Sequence, residues 1–293
     1  MERFRAEDGA RLAYRDEGDG LPLLALAGLT RDGRDFDYLV RRLPHDVRLI
    51  RLDSRGRGES DWTGPDTYTV PQETRDVLAL LDHLNLAQAA IIGSSRGGLI
   101  GMVIAAMAKH RLLGLCLNDV GAVLERAGLE RIATYVGVEP AVATLDEVAD
   151  RLPAVMPGFV DVPDLRWAEE TVRHFVQREG AVGLTYDPAL RDAVQAAMAQ
   201  PLPEFWSFFE ACDGLPLALI RGEASDVLSK ATATEMRRRR PDMAFAELRG
   251  RGHVPFLDEP EAITCIVAWL GEIKLRMAGE RPDVPGKAAG MGP

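Results

Sequence analysis

Ala89-Ala90-Ile91-Ile92-Gly93-Ser94-Ser95-Arg96-Gly97-Gly98-Leu99-Ile100-Gly101 decides the fold. Four apolar residues lead into a glycine, two serines and an arginine, and a run crowded with small residues follows. The pattern predicts a buried strand, a sharp turn and a helix able to lie close on a sheet. Glycines two residues either side of Ser95 let strand and helix pass without Cβ clashes. The Ser95 hydroxyl then stands at a helix N-terminus, where free N–H groups and the helix dipole favour negative charge. Gly93-Ser94-Ser95-Arg96-Gly97 is therefore read as a G-x-S-x-G nucleophile turn, in the strand-before, helix-after context that gives the motif its meaning. The bland alternative is a glycine-rich packing turn. Ser94, one residue off the motif's centre, is the poorer nucleophile.

Outward from this turn the chain alternates. Residues 2–6 and 11–16 read as a short polar hairpin around Asp8-Gly9, and Leu21 to Ala27 as a strand buried on both faces. Asp35 to Leu43 can form a helix, Val47 to Leu52 a strand, and Glu73 to Leu84 an amphipathic helix. Strands are expected at Ala89 to Ile92 and Leu112 to Leu117, with a helix from Ser95 to Lys109 between them. Strand–helix alternation predicts an α/β protein with a mostly parallel sheet covered on both sides. The rhythm stops near Gly121. Residues 122–213 read as helices interrupted by prolines, a helical cap inserted between core segments 1–121 and 214–275. Strands resume at Pro216 to Arg221 and Ala244 to Leu248, with helices near 229–239 and 260–275. The Gly- and Pro-rich tail, 276–293, is expected to be disordered.

The chain has 293 residues and a net charge of −10. That length allows one large α/β domain with a core that needs no staples. The acidic balance argues against nucleic acid or an anionic membrane surface as partner. Cys116, Cys212 and Cys265 are widely spaced and odd in number, which reads as reduced packing cysteines and a cytoplasmic protein. No cysteine pair has metal-ligand spacing, so no metal or other cofactor is expected. The first residues lack an apolar signal core. A monomer or homodimer acting on a small molecule fits this picture.

A serine hydroxyl needs a base within hydrogen-bond reach. Of the five histidines only His253 lies in a glycine-flanked loop just after a late strand, in Gly250-Arg251-Gly252-His253-Val254-Pro255. The base in turn needs a carboxylate to fix its tautomer. Asp226, after the strand 216–221, gives the chain order Ser95, Asp226, His253 that this kind of nucleophile turn carries. Asp119, after the strand that follows the nucleophile helix, is the runner-up, and Glu223 is a further rival. An oxyanion hole would use the N–H of Arg96, the residue after the nucleophile, and the N–H of Leu29 in Ala27-Gly28-Leu29-Thr30-Arg31.

The Arg96 and Arg31 side chains both start near the proposed chemistry. Either could hold a substrate carboxylate bidentately, or simply pair with an acidic neighbour such as Asp32 or Asp35. The hypothesis that Arg96 selects acidic substrates fails if Arg96→Leu leaves the preference between neutral and carboxylate-bearing esters unchanged. Trp206 and Phe209, in Phe205-Trp206-Ser207-Phe208-Phe209, and Val254 beside His253 are candidate substrate contacts, although such an aromatic cluster more often forms a segment's own core.

Together these pieces resemble the α/β-hydrolase superfamily, in particular its small capped esterase, lactonase and C–C hydrolase branch. The resemblance extends to Asp53-Ser54-Arg55-Gly56-Arg57-Gly58-Glu59-Ser60, similar to the family's D-x-R-G-x-G-x-S segment, and to Leu257-Asp258-Glu259-Pro260 behind His253. It implies a mostly parallel eight-stranded sheet with helices on both faces and a cap over the site. Two departures stand out: Ala27-Gly28 replaces the common His-Gly, and Arg96 stands where Met, Leu or Gln is usual. The expected function is hydrolysis of small carboxylic esters or lactones through an acyl-enzyme. The alternatives are hydrolytic C–C cleavage of vinylogous diketones and a ligand receptor built on a hydrolase fold.

Overall fold

The computed structural model describes residues 1–279. The chain opens with an antiparallel hairpin of β1 (Glu2–Arg5) and β2 (Arg11–Glu17), followed by β3 (Leu21–Leu26). The expected helix at Asp35 to Leu43 divides into a 3-10 turn, Gly33–Phe36, and a short α1 (Asp37–Val40), because the Asp32 side chain caps the Arg34 N–H and buried Phe36 and Leu39 pin each turn. Next come β4 (Val47–Leu52), α2 (Val70–His83), β5 (Ala89–Ser94), α3 (Arg96–Ala108) and β6 (Leu112–Asn118).

The long insertion holds α4 (Arg126–Tyr135), α5 (Leu145–Val155), α6 (Asp164–His174), β7 (Phe175–Arg178), β8 (Ala181–Leu184), α7 (Leu190–Met198) and α8 (Trp206–Glu210). It is not all helix. β7 and β8 form an antiparallel hairpin, Phe175 opposite Leu184, closed by Glu179 and by Gly180 at φ 66°. The two-residue Glu179-Gly180 turn is the signal that the helical reading passed over. Pro153 does not interrupt α5, which continues two residues past it to Val155. The chain then returns with β9 (Leu217–Gly222), α9 (Lys230–Arg239), β10 (Ala244–Leu248) and α10 (Pro260–Met277). Part of the tail expected to be disordered is thus helical: α10 continues to Met277, with the Arg276 guanidinium bound to the Gly214 carbonyl and Glu272. Residues 280–293 lie outside the described residues.

The eight strands form one sheet in the order β1-β2-β4-β3-β5-β6-β9-β10. Only the pairings of β2 with β1 and β4 are antiparallel. Side chains alternate between the faces with the two-residue period of a strand. Leu24, Leu26, Ile91, Leu115 and Leu117 pack with α2, α3 and α8 in one cluster. Leu23, Ala25, Ala90, Ile92 and Cys116 pack with α1 and α10 in another. Both faces of the inner strands are therefore buried, each Leu or Ile contributing about 1.5–3 kcal/mol relative to exposure, and this explains their unbroken apolar runs. The ends of β3, β5, β6 and β9 lie side by side, and the candidate site is built from the loops that leave them. Among the described residues no helix is long and apolar enough to cross a membrane.

Candidate active site

Ser95 sits between β5 and α3 at φ 50°, ψ −115°, a strained conformation for a residue with a Cβ. Its surroundings leave no alternative. A Cβ on Gly97 would stand 2.1 Å from the Leu26 carbonyl oxygen, and one on Gly93 would stand 2.4 Å from the backbone of Gly97 and Gly98. The Ser95 N–H donates to the Asn118 carbonyl at 2.9 Å, fixing the turn to the neighbouring strand.

His253 Nε2 lies 3.0 Å from Ser95 Oγ. His253 Nδ1 lies 2.7 Å from Asp119 Oδ2. A ring that donates from Nδ1 to a carboxylate leaves Nε2 free to accept the serine proton. Asp119 is fully buried and is held by two further donors: the Gly222 N–H reaches Oδ1 at 2.9 Å and the Ser225 hydroxyl reaches Oδ2 at 2.7 Å. These bonds offset the cost of burying a carboxylate.

The acid position expected at Asp226 is thus occupied by Asp119, the runner-up. β6 is the immediate neighbour of β5, with Asn118 in register with Ser94, so the residue after β6 emerges beside the nucleophile. In the loop after β9, Ser225 turns inward to Asp119. The Asp226 carboxylate instead binds Arg131 of α4, with Nε at 2.5 Å and Nη2 at 3.0 Å. Burial tends to raise the Asp226 carboxyl, but Arg131 and, less strongly, His253 hold it below its ordinary value. α4 comes this close because it crosses the loop at Gly128, where a Cβ would stand 2.2 Å from the Asp226 carbonyl oxygen.

The loop after β3 passes over the nucleophile: a Cβ on Gly28 would lie 3.7 Å from the Ser95 Cβ. Among the described residues neither the Leu29 N–H nor the Arg96 N–H has a hydrogen-bond acceptor. The Leu29 carbonyl accepts from Arg57 Nε at 2.7 Å, which orients that loop. An apolar wall rises beside it, in which Leu29 joins Tyr68, Ile132, Tyr186 and Val227 and so couples α4 and β8 to the strand ends.

Arg31 is already engaged. Its Nη1 lies 3.3 Å from Asp35, 3.1 Å from Glu170 and 2.6 Å from His174 Nε2. Asp35 is the neighbour it pairs with, while Asp32 binds Arg34. Burial pushes the Asp35 carboxyl up. It would do the same to Glu170, but His174 and Arg31 hold Glu170 well down. Arg31, Asp35, Tyr38, Glu170, Ser94 and Val254 line a small cavity. Glu170 and His174, both from α6, went unnoticed in the sequence because their partners lie some 140 residues away along the chain.

Trp206 and Phe209 do not reach the site. Phe209 is buried in the cluster with Cys212, Leu215 and Met236, and Trp206 packs edge-on to it beneath the Arg239 guanidinium. Two apolar residues three apart on α8 serve the face that lies on α3, which overturns their reading as substrate contacts. The three cysteines are buried and free, and burial pushes the Cys265 thiol up to about 11 and the Cys212 thiol up to about 12. Among the described residues no group of three or more His, Cys, Asp or Glu side chains is placed to hold a metal ion.

A nucleophile turn, a histidine in reach of it and a buried carboxylate on that histidine, at the strand ends of a mostly parallel sheet, define a class of hydrolases. Residues 23–264 match the model of the alpha/beta hydrolase family, and the chain belongs to that family. It is 34% identical over 265 residues to a 3-hydroxybutyrate-oligomer hydrolase of Cupriavidus necator, covering 86% of this chain and 90% of that protein. It is 24% identical over 246 residues to a 2-(acetamidomethylene)succinate hydrolase of Mesorhizobium japonicum, covering 83% and 84%. Among solved structures, an alpha/beta hydrolase from Novosphingobium aromaticivorans is 36% identical with a TM-score of 0.85, covering 92% of this chain and 97% of that one.

Proposed function

We propose that the protein is a cofactor-independent serine hydrolase of small carboxylic esters or lactones, with Ser95, His253 and Asp119 as its triad. The observation that carries this reading is the continuous hydrogen-bonded chain Ser95 Oγ–His253 Nε2 and His253 Nδ1–Asp119 Oδ2, at 3.0 Å and 2.7 Å. His253 takes the Ser95 proton as Oγ attacks the carbonyl carbon. The negative oxygen that develops is held by the N–H groups of Leu29 and Arg96; an oxyanion donor of this kind lowers a barrier by about 3–4 kcal/mol. His253, now protonated, returns its proton to the leaving alkoxide. Water deprotonated by His253 then attacks the acyl-enzyme and frees Ser95. Asp119 holds the ring and stabilises its charge throughout.

The Cupriavidus relative acts on 3-hydroxybutyrate oligomers, so short hydroxyacid oligoesters are the first substrates of choice. The test is a panel of p-nitrophenyl esters, lactones, vinylogous diketones and 3-hydroxybutyrate oligomers against wild type and Ser95→Ala. Ester or lactone turnover that disappears in Ser95→Ala is the expected result. Full turnover by Ser95→Ala would falsify the scheme, and turnover confined to the diketones would replace ester by C–C hydrolysis.

A further inference from the structure

Four guanidinium groups stand around the candidate site, and their counter-charges differ. Arg31 faces two carboxylates, Asp35 and Glu170. Arg131 faces one, Asp226. Arg57 and Arg96 converge on a single carboxylate, Glu73, which is 1% exposed. Arg57 Nη1 reaches Glu73 Oε1 at 2.7 Å. Arg96 Nε reaches Oε2 at 2.6 Å and its Nη2 reaches Oε1 at 3.1 Å. The remaining partners, the carbonyls of Leu29, Arg55 and Tyr68, are neutral. Taken as a trio, Arg57, Arg96 and Glu73 carry one net positive charge, while the adjoining Arg55 pairs with both buried Asp76 and the more exposed Asp8.

That charge is tied to the two segments that flank the nucleophile. Arg96 directly follows Ser95, and Arg57 is bonded to the Leu29 carbonyl in the loop over the nucleophile. Arg57 is 1% exposed, and its buried Nη2 has no hydrogen-bond partner among the described residues. Arg96 retains 17% side-chain exposure, and its Nη1 has no partner among the described residues. Burial and the neighbouring Arg96 charge both weigh against the charge on Arg57, while the two arginines together hold Glu73 ionised against its own burial. A desolvated cation short of an anion is a costly arrangement, and an anionic ligand relieves it.

We propose that Arg96, backed by Arg57 on their shared Glu73, forms a subsite for a carboxylate carried by the substrate, so that the enzyme prefers acid-bearing esters to neutral ones. Arg96 is the contact residue, and Arg57 is a positioning residue that supplies the unbalanced charge. Arg31 and Arg131 are excluded from this role because their own carboxylates match or exceed their charge. The acid end of a hydroxyacid oligoester has the required chemistry. The proposal rests on the serine-hydrolase reading of the same site.

The test compares p-nitrophenyl acetate with mono-p-nitrophenyl succinate, each kcat/KM normalised to the ester's rate with hydroxide. The wild-type ratio is expected to favour the succinate ester. Arg96→Leu should lower the ratio by about tenfold, the worth of one charge-assisted hydrogen bond. Arg96→Lys should restore part of it. Glu73→Gln, which adds net positive charge, should keep the ratio or raise it, whereas general damage would slow both esters alike. An unchanged ratio in Arg96→Leu, or one that falls in Glu73→Gln, overturns the proposal. A second readout needs no turnover: the rise in Tm produced by 3-hydroxybutyrate, compared with its neutral primary amide. The anion should stabilise wild type more than the amide does, and Arg96→Leu should remove the difference. Equal effects of anion and amide on wild type overturn the subsite. Loss of turnover with the anion effect intact overturns only the hydrolase reading.

Discussion

Asp119 and His253 are joined at 2.7 Å although 134 residues separate them, while Asp226, which stands closer to His253 in sequence, is bound to Arg131 on α4. The relationship follows from strand order. β6 lies directly beside β5, so a residue just past its end is as near the nucleophile turn as the chain allows. The loop after β9 arrives from one strand further out and contributes Ser225, which donates to Asp119 rather than competing with it.

Asp119→Asn should therefore lower kcat by about 10³–10⁴, because an amide leaves the imidazole in the wrong tautomer and its charge unsupported. Asp226→Asn should cost less than about tenfold, since it removes a pairing on α4 and not the ring's partner. Steady-state kinetics of both variants on one ester decide the matter. A larger loss in Asp226→Asn than in Asp119→Asn would return the acid to the loop after β9.

Much of this arrangement was legible beforehand, and the limits have physical causes. The strands near 21–27, 89–92 and 112–117 announced themselves because both faces are buried and no charged residue breaks the run, and the one near 47–52 showed through Arg48 and Arg51 by its four aliphatic residues. Ser95 and His253 stood out because each sits beside glycines that only a tight loop requires. Local sequence does not contain the choice between Asp119 and Asp226, which depends on strand order and on which way one loop turns. Nor does it contain the pairing of Arg96 with Glu73, 23 residues earlier on a different helix. The β7–β8 hairpin was missed because its strands are four residues each, too short to show alternation against the surrounding helices.

Gly97 is held by steric fit. Its missing Cβ would stand 2.1 Å from the Leu26 carbonyl oxygen and 2.8 Å from the Leu26 Cβ, and the nearest atoms belong to backbone in the middle of the sheet. Gly97→Ala must push α3 off β3, an overpacking that costs about 1–3 kcal/mol or more. The expected result is a lower denaturation midpoint together with slowed ester turnover, because the Arg96 N–H moves with the helix. Urea unfolding of Gly97→Ala beside Gly271→Ala, whose Cβ meets nothing within 4 Å among the described residues, provides the comparison.

Phe209 separates packing from substrate contact. It is 1% exposed and lies among Cys212, Leu215 and Met236 in the cluster that also holds Leu115 and Leu117. Phe209→Ala should destabilise the fold by about 3–5 kcal/mol, through lost transfer energy and the cavity left behind. The KM of the fraction that remains folded should stay within about twofold of wild type, since no cleft contact is lost. A KM change without a change in stability would put the ring back in the substrate site.

Asp53 gives the fold a pH dependence opposite in sign to that of most carboxylates. Burial, reinforced by the neighbouring Asp32 charge, raises its carboxyl from 3.8 to about 6, even though Glu59 and Gly33 N–H groups bond to it. A folded-state value above the unfolded one means that the native chain holds the proton more tightly between those two pH values. The stabilisation is then full below about 3.8 and is lost as pH rises through about 6. From pH 5 to pH 7.5 this group should remove up to about 1.4 kcal/mol, one pH interval's worth of linkage. Asp32→Asn takes away the second of the two causes while keeping a side chain able to cap the Arg34 N–H. Asp32 itself is held below its ordinary value by Arg34, so it is ionised throughout this window and its own titration does not intrude. The loss of Tm between pH 5 and pH 7.5 should accordingly be smaller in Asp32→Asn than in wild type. Equal losses in the two proteins would mean that Asp32 does not act on the Asp53 carboxyl.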